Sequence, residues 1–123
     1  MANECTPLFR PGWHVTARAT AQLTGKRFVG ISADLDDDGV IRVGLPAAGA
    51  RTFGVAAHDA ATGTVLTILR RGIIPVTAGG TITAGQEVQV DNVGRVVTLA
   101  AGVSIGQAVE NATTGQDVAV ALG

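Results

Sequence analysis

The densest chemistry in the chain lies in Asp34-Leu35-Asp36-Asp37-Asp38-Gly39. It opens as a calcium loop does, with carboxylates at alternate positions able to converge on a hard cation and a glycine at the bend. The pattern then stops. Leu45 stands at the twelfth position, where a bidentate Glu is required, and the flanks read as strands, so a solvated acidic hairpin tip is expected. Gly25-Lys26 resembles the end of a phosphate-binding loop, but Thr20 occupies the place of its first glycine and Arg27 that of its Ser or Thr. His14 and His58 have no Cys-His, Ser-His-Asp or His-x-x-x-His spacing around them. They read as surface or turn residues, and a hydrolase built on Asp34 to Asp38 with His58 is disfavoured. The single cysteine, Cys5, cannot close an internal disulfide. No catalytic residue, metal set or cofactor site is expected.

Arg70 and Arg71 could form a basic spot with Arg51 or Arg95. Nucleic-acid binding would need more cations and stacking aromatics, so a solvated edge that blocks sheet-to-sheet association is preferred. A formal charge of -1 agrees, predicting neither nucleic acid nor an anionic membrane as partner. Asp59 and Asn111 read as Asx residues capping turns.

These residues are carried by repeated strands and turns. Sliding the sequence by 52 residues lays Gly54, Ala56, Asp59, Ala60, Thr62 and Gly63 over Gly106, Ala108, Asn111, Ala112, Thr114 and Gly115. Each copy continues into alternating apolar residues, Val65 to Ile68 and Val118 to Val120, and Ala84-Gly85-Gln86-Glu87-Val88-Gln89-Val90 is a shorter echo. Units that cannot bury an apolar face alone point to one small β domain closed by stacking them.

Composition agrees. The chain is 46% hydrophobic but only 3% aromatic, with 17 glycines and 15% charged residues among 123. Its apolar content is Ala and Val, and glycine supplies the turns. Strands are expected over 13–20, 27–32, 40–43, 52–57, 65–69, 72–76, 103–109 and 118–122, the first three as a meander, with short hairpin pieces at 81–83, 87–90 and 95–99. Pro75 marks an edge strand or bulge, and Ala60, Ala61 and Ala112 allow a brief helical turn. The fold class is all-β: a small barrel or sandwich of about nine or ten short strands, spanning 13–123 as a single domain.

Residues 1–12 read as an extended arm. Pro7 and Pro11 disfavour helix, while Leu8, Phe9 and Trp13 are apolar for a solvated end. In a chain with four aromatics, placing two here predicts a segment that buries itself somewhere, and a tail packed on another chain is the reading set against a frayed terminus. The opening has no apolar core of a signal sequence, and no stretch approaches the roughly 20 apolar residues of a membrane span, so a soluble protein is expected.

The stretches Ala2 to Thr16, Thr24 to Ser32, Phe53 to Ile68, Gly72 to Val88 and Gly106 to Val120 resemble the capsid decoration, or cement, proteins of tailed bacteriophages, especially those infecting actinobacteria. Some members carry a RecA/RadA recombinase label, which the incomplete phosphate loop does not support. The resemblance covers nearly the whole chain. It implies a non-enzymatic virion protein, made in the host cytoplasm, that binds the major capsid protein on the outer surface of the expanded head, commonly as homotrimers at three-fold positions. No nucleic acid, membrane or small-molecule substrate is expected. Pro7, Leu8, Phe9, Arg10, Pro11 and Trp13 are the expected capsid or inter-subunit contacts, chosen on composition. The rival readings are a head-to-tail connector or tail-tube component, or a displayed surface-binding module, for which the chain has few aromatics to spare.

Overall fold

A computed structural model describes residues 14–122. Among them there is no helix, and the ten strands form two five-stranded sheets. The first comprises β1 (His14–Ala19), β2 (Phe28–Ala33), β3 (Ile41–Gly44), β4 (Gly54–Ala56) and β5 (Val65–Leu69) in the order β1-β3-β2-β4-β5. Antiparallel pairing of β1 with β5, from His14 opposite Leu69 to Arg18 opposite Val65, closes it into a barrel. The meander expected at the start is not formed. β1 lies parallel to β3, and β2 pairs with β3 and β4 instead. Parallel placement gives β1 partners on both sides, which removes an edge that a meander would leave open.

The second sheet comprises β6 (Gly72–Thr77), β7 (Glu87–Val90), β8 (Val96–Thr98), β9 (Gly106–Ala108) and β10 (Asp117–Leu122), in the order β6-β10-β9-β7-β8. Its neighbour relations are those of the first, strand for strand. The parallel β1–β3 ladder is reduced here to one parallel bridge, Ala78 to Val96. Likewise the bridge Leu23 to Ala60 in the first half has its counterpart in Ile82 to Ala112. The 52-residue repeat is thus the most legible part of a five-strand unit used twice. Residues 81–83 contribute that single bridge rather than a strand. Ala60 and Ala112 also lie in bridges, where pairing with Leu23 and Ile82 takes the place of the helical turn their composition allows.

Each half is itself built of two similar quarters, a strand, a turn and a second strand. At the turn stands a residue with positive φ: Lys26 (63°), Gly63 (87°), Gly85 (90°) and Gly115 (86°). Each donates its backbone N–H to the carbonyl of an alanine in the opposite quarter. Lys26 bonds Ala56 at 3.0 Å, Gly63 bonds Ala19, Gly85 bonds Ala108 and Gly115 bonds Ala78, each of the last three at 2.8 Å. All four alanines are buried to 1% exposure or less. A larger side chain there would hold the two backbones apart, which is why the core is rich in alanine. The Gly25-Lys26 pair is therefore a fourth copy of the turn, with lysine where the others have glycine.

The halves share a core. β2 and β4 each bury both faces, unlike an ordinary alternating strand. Val29 and Ala56 face the barrel interior, while Phe28 and Val55, directly opposite each other, pack into the core of the second half with Val76, Val90 and Val120. The equivalent pair in the second half is Glu87 opposite Gln107, and both are exposed. The same sheet face is thus apolar where a second half covers it and polar where none does.

β6 is at the end of its sheet order, as Pro75 predicts. Thr77 donates away from β10, to the Lys26 carbonyl at 2.8 Å, so Pro75, two residues earlier, turns its missing N–H toward the same free edge. An edge lacking that donor is a poor template for strand addition.

Candidate interaction surface

None of the sequence motifs converges on a reaction centre. Among the described residues no polar or charged side chain is fully buried, and no three His, Cys, Asp or Glu residues gather into a metal site. His14 begins β1, and His58 sits exposed in the β4–β5 loop with Nδ1 2.9 Å from the Asp59 carbonyl oxygen.

The acidic loop has a structural role. The Asp36 carboxylate accepts from the Asp38 and Val40 amides, both at 2.9 Å, and from Arg18 Nε at 3.0 Å. Asp91 plays the same part in the β7–β8 tip, accepting from the Val93 and Arg95 amides at 3.0 and 2.9 Å and from Arg95 Nε at 3.0 Å. The Val40 amide, assisted by Arg18 and opposed by partial desolvation, holds the Asp36 carboxyl below its ordinary pKa of 3.8. A depressed folded-state pKa contributes stability above the unfolded value and loses it as pH falls through the folded one. Asp36→Asn is therefore expected to lower the Tm near pH 7, with the gap to the parent narrowing as pH falls below 3.8. Thermal melts across that range check it, and a pH-independent gap would assign the loss to geometry rather than charge.

Asp59 and Asn111 do cap turns, though not their own. Asp59 Oδ1 accepts from the Gly25 amide and Asn111 Oδ1 from the Ala84 amide, each at 2.8 Å. They tie the two quarters of each half together.

What the structure brings together is a basic and apolar face. Two adjoining open grooves, of about 460 and 440 Å³, share Arg51, Thr52, Phe53 and Arg70 in their walls. Arg71, Val103, Ile105 and Leu122 complete the first, and Ile31 and Leu45 border the second. Arg70 lays its guanidinium 4.3 Å over the Phe53 ring and donates Nε to the Phe53 carbonyl at 3.0 Å. Neither groove is lined by a carboxylate or a histidine. The basic spot read from sequence forms with Arg51, but Arg95 is held apart by Asp91.

Ile31 is 58% exposed, Leu45 52% and Val103 48%. Sequence reading passed over these three. Ile31 carried a signal, since β2 has large apolar residues at alternating and adjacent positions, more than one buried face uses. The contacts expected from sequence, Pro7, Leu8, Phe9, Arg10, Pro11 and Trp13, lie outside the described residues.

A family model for phage cement proteins matches residues 10–122. In structure the chain is similar to the N base of the head fiber gp8.5 of bacteriophage phi29, with 26% sequence identity and a TM-score of 0.75 over 89% of this chain and 92% of that one. No curated protein matches the chain.

Proposed function

The chain belongs to the phage cement protein family, a capsid-associated structural protein, and on that premise we propose that it binds the outer surface of the expanded head and bridges major capsid subunits, as trimers at three-fold positions. The family match over nearly the whole chain carries this reading. The molecule is built for such a role, with two interlocked β units around a shared core, and exposed Ile31, Leu45 and Val103 beside an arginine-lined groove available for contact. The mechanism is mass action. A ligand that binds only the expanded lattice stabilises it by RT ln(1 + [L]/Kd), about 2.7 kcal/mol per site at a hundredfold excess over Kd. It needs no catalysis and no cofactor. Pro7, Leu8, Phe9, Arg10, Pro11 and Trp13 add to the contact surface, because buried aromatics dominate interfaces.

Co-sedimentation with expanded heads lacking the protein tests the reading, comparing the full chain with one that begins at Gly12. Saturable binding at a fixed ratio to the major capsid protein is expected, weakened several-fold by the truncation. Binding unaffected by truncation would keep the cement role and dismiss the arm. No binding to heads would overturn the role, and virions that lose their tails when the protein is absent would assign it to the connector or tail tube.

A further inference from the structure

We propose that the two adjoining grooves take one extended segment of a capsid subunit, in which carboxylates alternate with apolar side chains. The inference rests on the capsid-binding reading above and names the chemistry of that contact. Charge is the first observation. Among the described residues Arg18, Lys26 and Arg95 each meet a carboxylate, and Arg42 donates to the carbonyls of Asp34 and Leu35. Arg51, Arg70 and Arg71 meet no carboxylate among the described residues, and all three are exposed on the first groove. The one carboxylate there that is hydrogen-bonded to a lining residue is Glu87, which accepts from the Ser104 hydroxyl at 3.0 Å. Arg70 is also set in advance. Its Nε is held by the Phe53 carbonyl and its plane by the Phe53 ring, so its terminal amino groups stand ready as donors and little side-chain entropy is lost on binding.

The walls supply the second step. The arginines come from the first half and Val103, Ile105 and Leu122 from the second, while Ile31 and Leu45 border the adjoining groove. Successive side chains of a strand point to opposite sides, so an extended segment lying between unlike walls offers one side chain to the arginines and the next to the apolar surface. Size agrees. With spacings of about 3.3, 4.8 and 10 Å a strand fills on the order of 160 Å³ per residue, so the grooves of about 460 and 440 Å³ hold roughly three residues each. That is a usual strand length, whereas a helix so short is not stable. A nucleic acid fits less well. Three cations neutralise few phosphates, the apolar wall offers them nothing, and Arg70 covers the Phe53 face on which a base would stack.

Two variants of equal net charge test it on expanded heads lacking the protein. Arg51→Gln with Arg71→Gln removes charge from the groove, and Thr62→Asp with Thr114→Asp makes the same change at exposed turns outside both grooves. The first pair should weaken binding at least about tenfold and the second less than about twofold. A second readout needs no heads. A capped hexapeptide of alternating valine and glutamate, titrated into the free protein, should shift the NMR signals of the Thr52, Phe53, Ser104 and Ile105 amides saturably, and bind about tenfold more tightly than its valine and glutamine counterpart. Equal effects of the two pairs on head binding overturn the proposal and leave the cement role standing. Heads that do not bind even the parent protein overturn that role and with it the capsid source of the segment, while the glutamate peptide still decides the chemistry of the groove. A glutamine peptide that binds as well as the glutamate one overturns the acidic preference, and a six-nucleotide oligothymidylate that binds more tightly than either hands the groove to nucleic acid. Peptide binding seen only in the chain that begins at Gly12 also overturns the proposal, in favour of the protein's own arm.

Discussion

Phe28→Ala is expected to lower the free energy of unfolding by about 3–5 kcal/mol, the range for deleting a fully buried phenylalanine. Phe28 is the largest fully buried side chain among the described residues, at 1% exposure. It lies in the first half but fills the core of the second. Its loss opens a cavity at the junction, where the walls belong to two different sheets, one a closed barrel and one open, and do not collapse together. Among the described residues four backbone hydrogen bonds also tie the halves: Phe28 N–H to the Gly94 carbonyl and Thr77 N–H to the Lys26 carbonyl, each at 2.8 Å, and, through the β3–β4 loop, Gly49 N–H to the Val90 carbonyl at 2.7 Å and Val103 N–H to the Gly49 carbonyl at 2.9 Å. Urea denaturation measures the loss, and hydrogen exchange at the Phe28 and Thr77 amides should accelerate more than at Ala17, inside the barrel. A loss below about 1 kcal/mol would mean that the halves do not depend on this side chain.

The fold was partly legible because its repeat is partly written in side chains. β4–β5 and β9–β10 preserve Gly, Ala, Asx and Thr-Gly at matching positions, so a shift of 52 residues reveals them. β1–β2 hides the same turn because lysine takes the left-handed position at Lys26, and Gly25-Lys26 then reads as a fragment of a phosphate loop. Strand order was illegible for another reason. Alternation tells which residues face inward but not which strand lies alongside, and the parallel β1–β3 pairing depends on closing the barrel. The acidic loop read as a hairpin tip, but composition did not say which carboxylate organises it. Only Asp36 is held by two backbone amides and Arg18, a role that Asp91 fills in the second half without acidic neighbours at positions 92 and 93.

The site was legible only in pieces. Arg51, Arg70 and Arg71 were visible as cations, but their meeting around Phe53 depends on how the β4 entry and the end of β5 are brought side by side. Val103 and Ile105 come from the other half, and nothing local in the sequence places them across the groove from Arg70. Interfaces of this kind are assembled by topology, and composition alone cannot locate them.

Gly94→Ala should be nearly as damaging as the loss of Phe28, and far more damaging than the same change at Gly39. The two glycines hold matching places in the β7–β8 and β2–β3 tips, with φ of 87° and 77°. Each would force alanine into the left-handed region, which costs on the order of 1–3 kcal/mol for a residue with a side chain. At Gly39 that is the whole cost, because nothing lies within 4 Å of an added Cβ. At Gly94 the added Cβ would press into the Phe28 carbonyl oxygen and come within 3.2 Å of the Phe28 nitrogen and the Arg27 Cβ. Backbone cannot swing aside as a flexible side chain can, so the tip must withdraw and the Phe28 to Gly94 hydrogen bond is lost, adding about 1–3 kcal/mol for a buried group left unpaired. Parallel denaturation of the two variants separates the terms. A large difference locates the junction of the halves at the β7–β8 tip. Equal losses would show that the left-handed backbone is the only constraint and that the two halves are held together elsewhere.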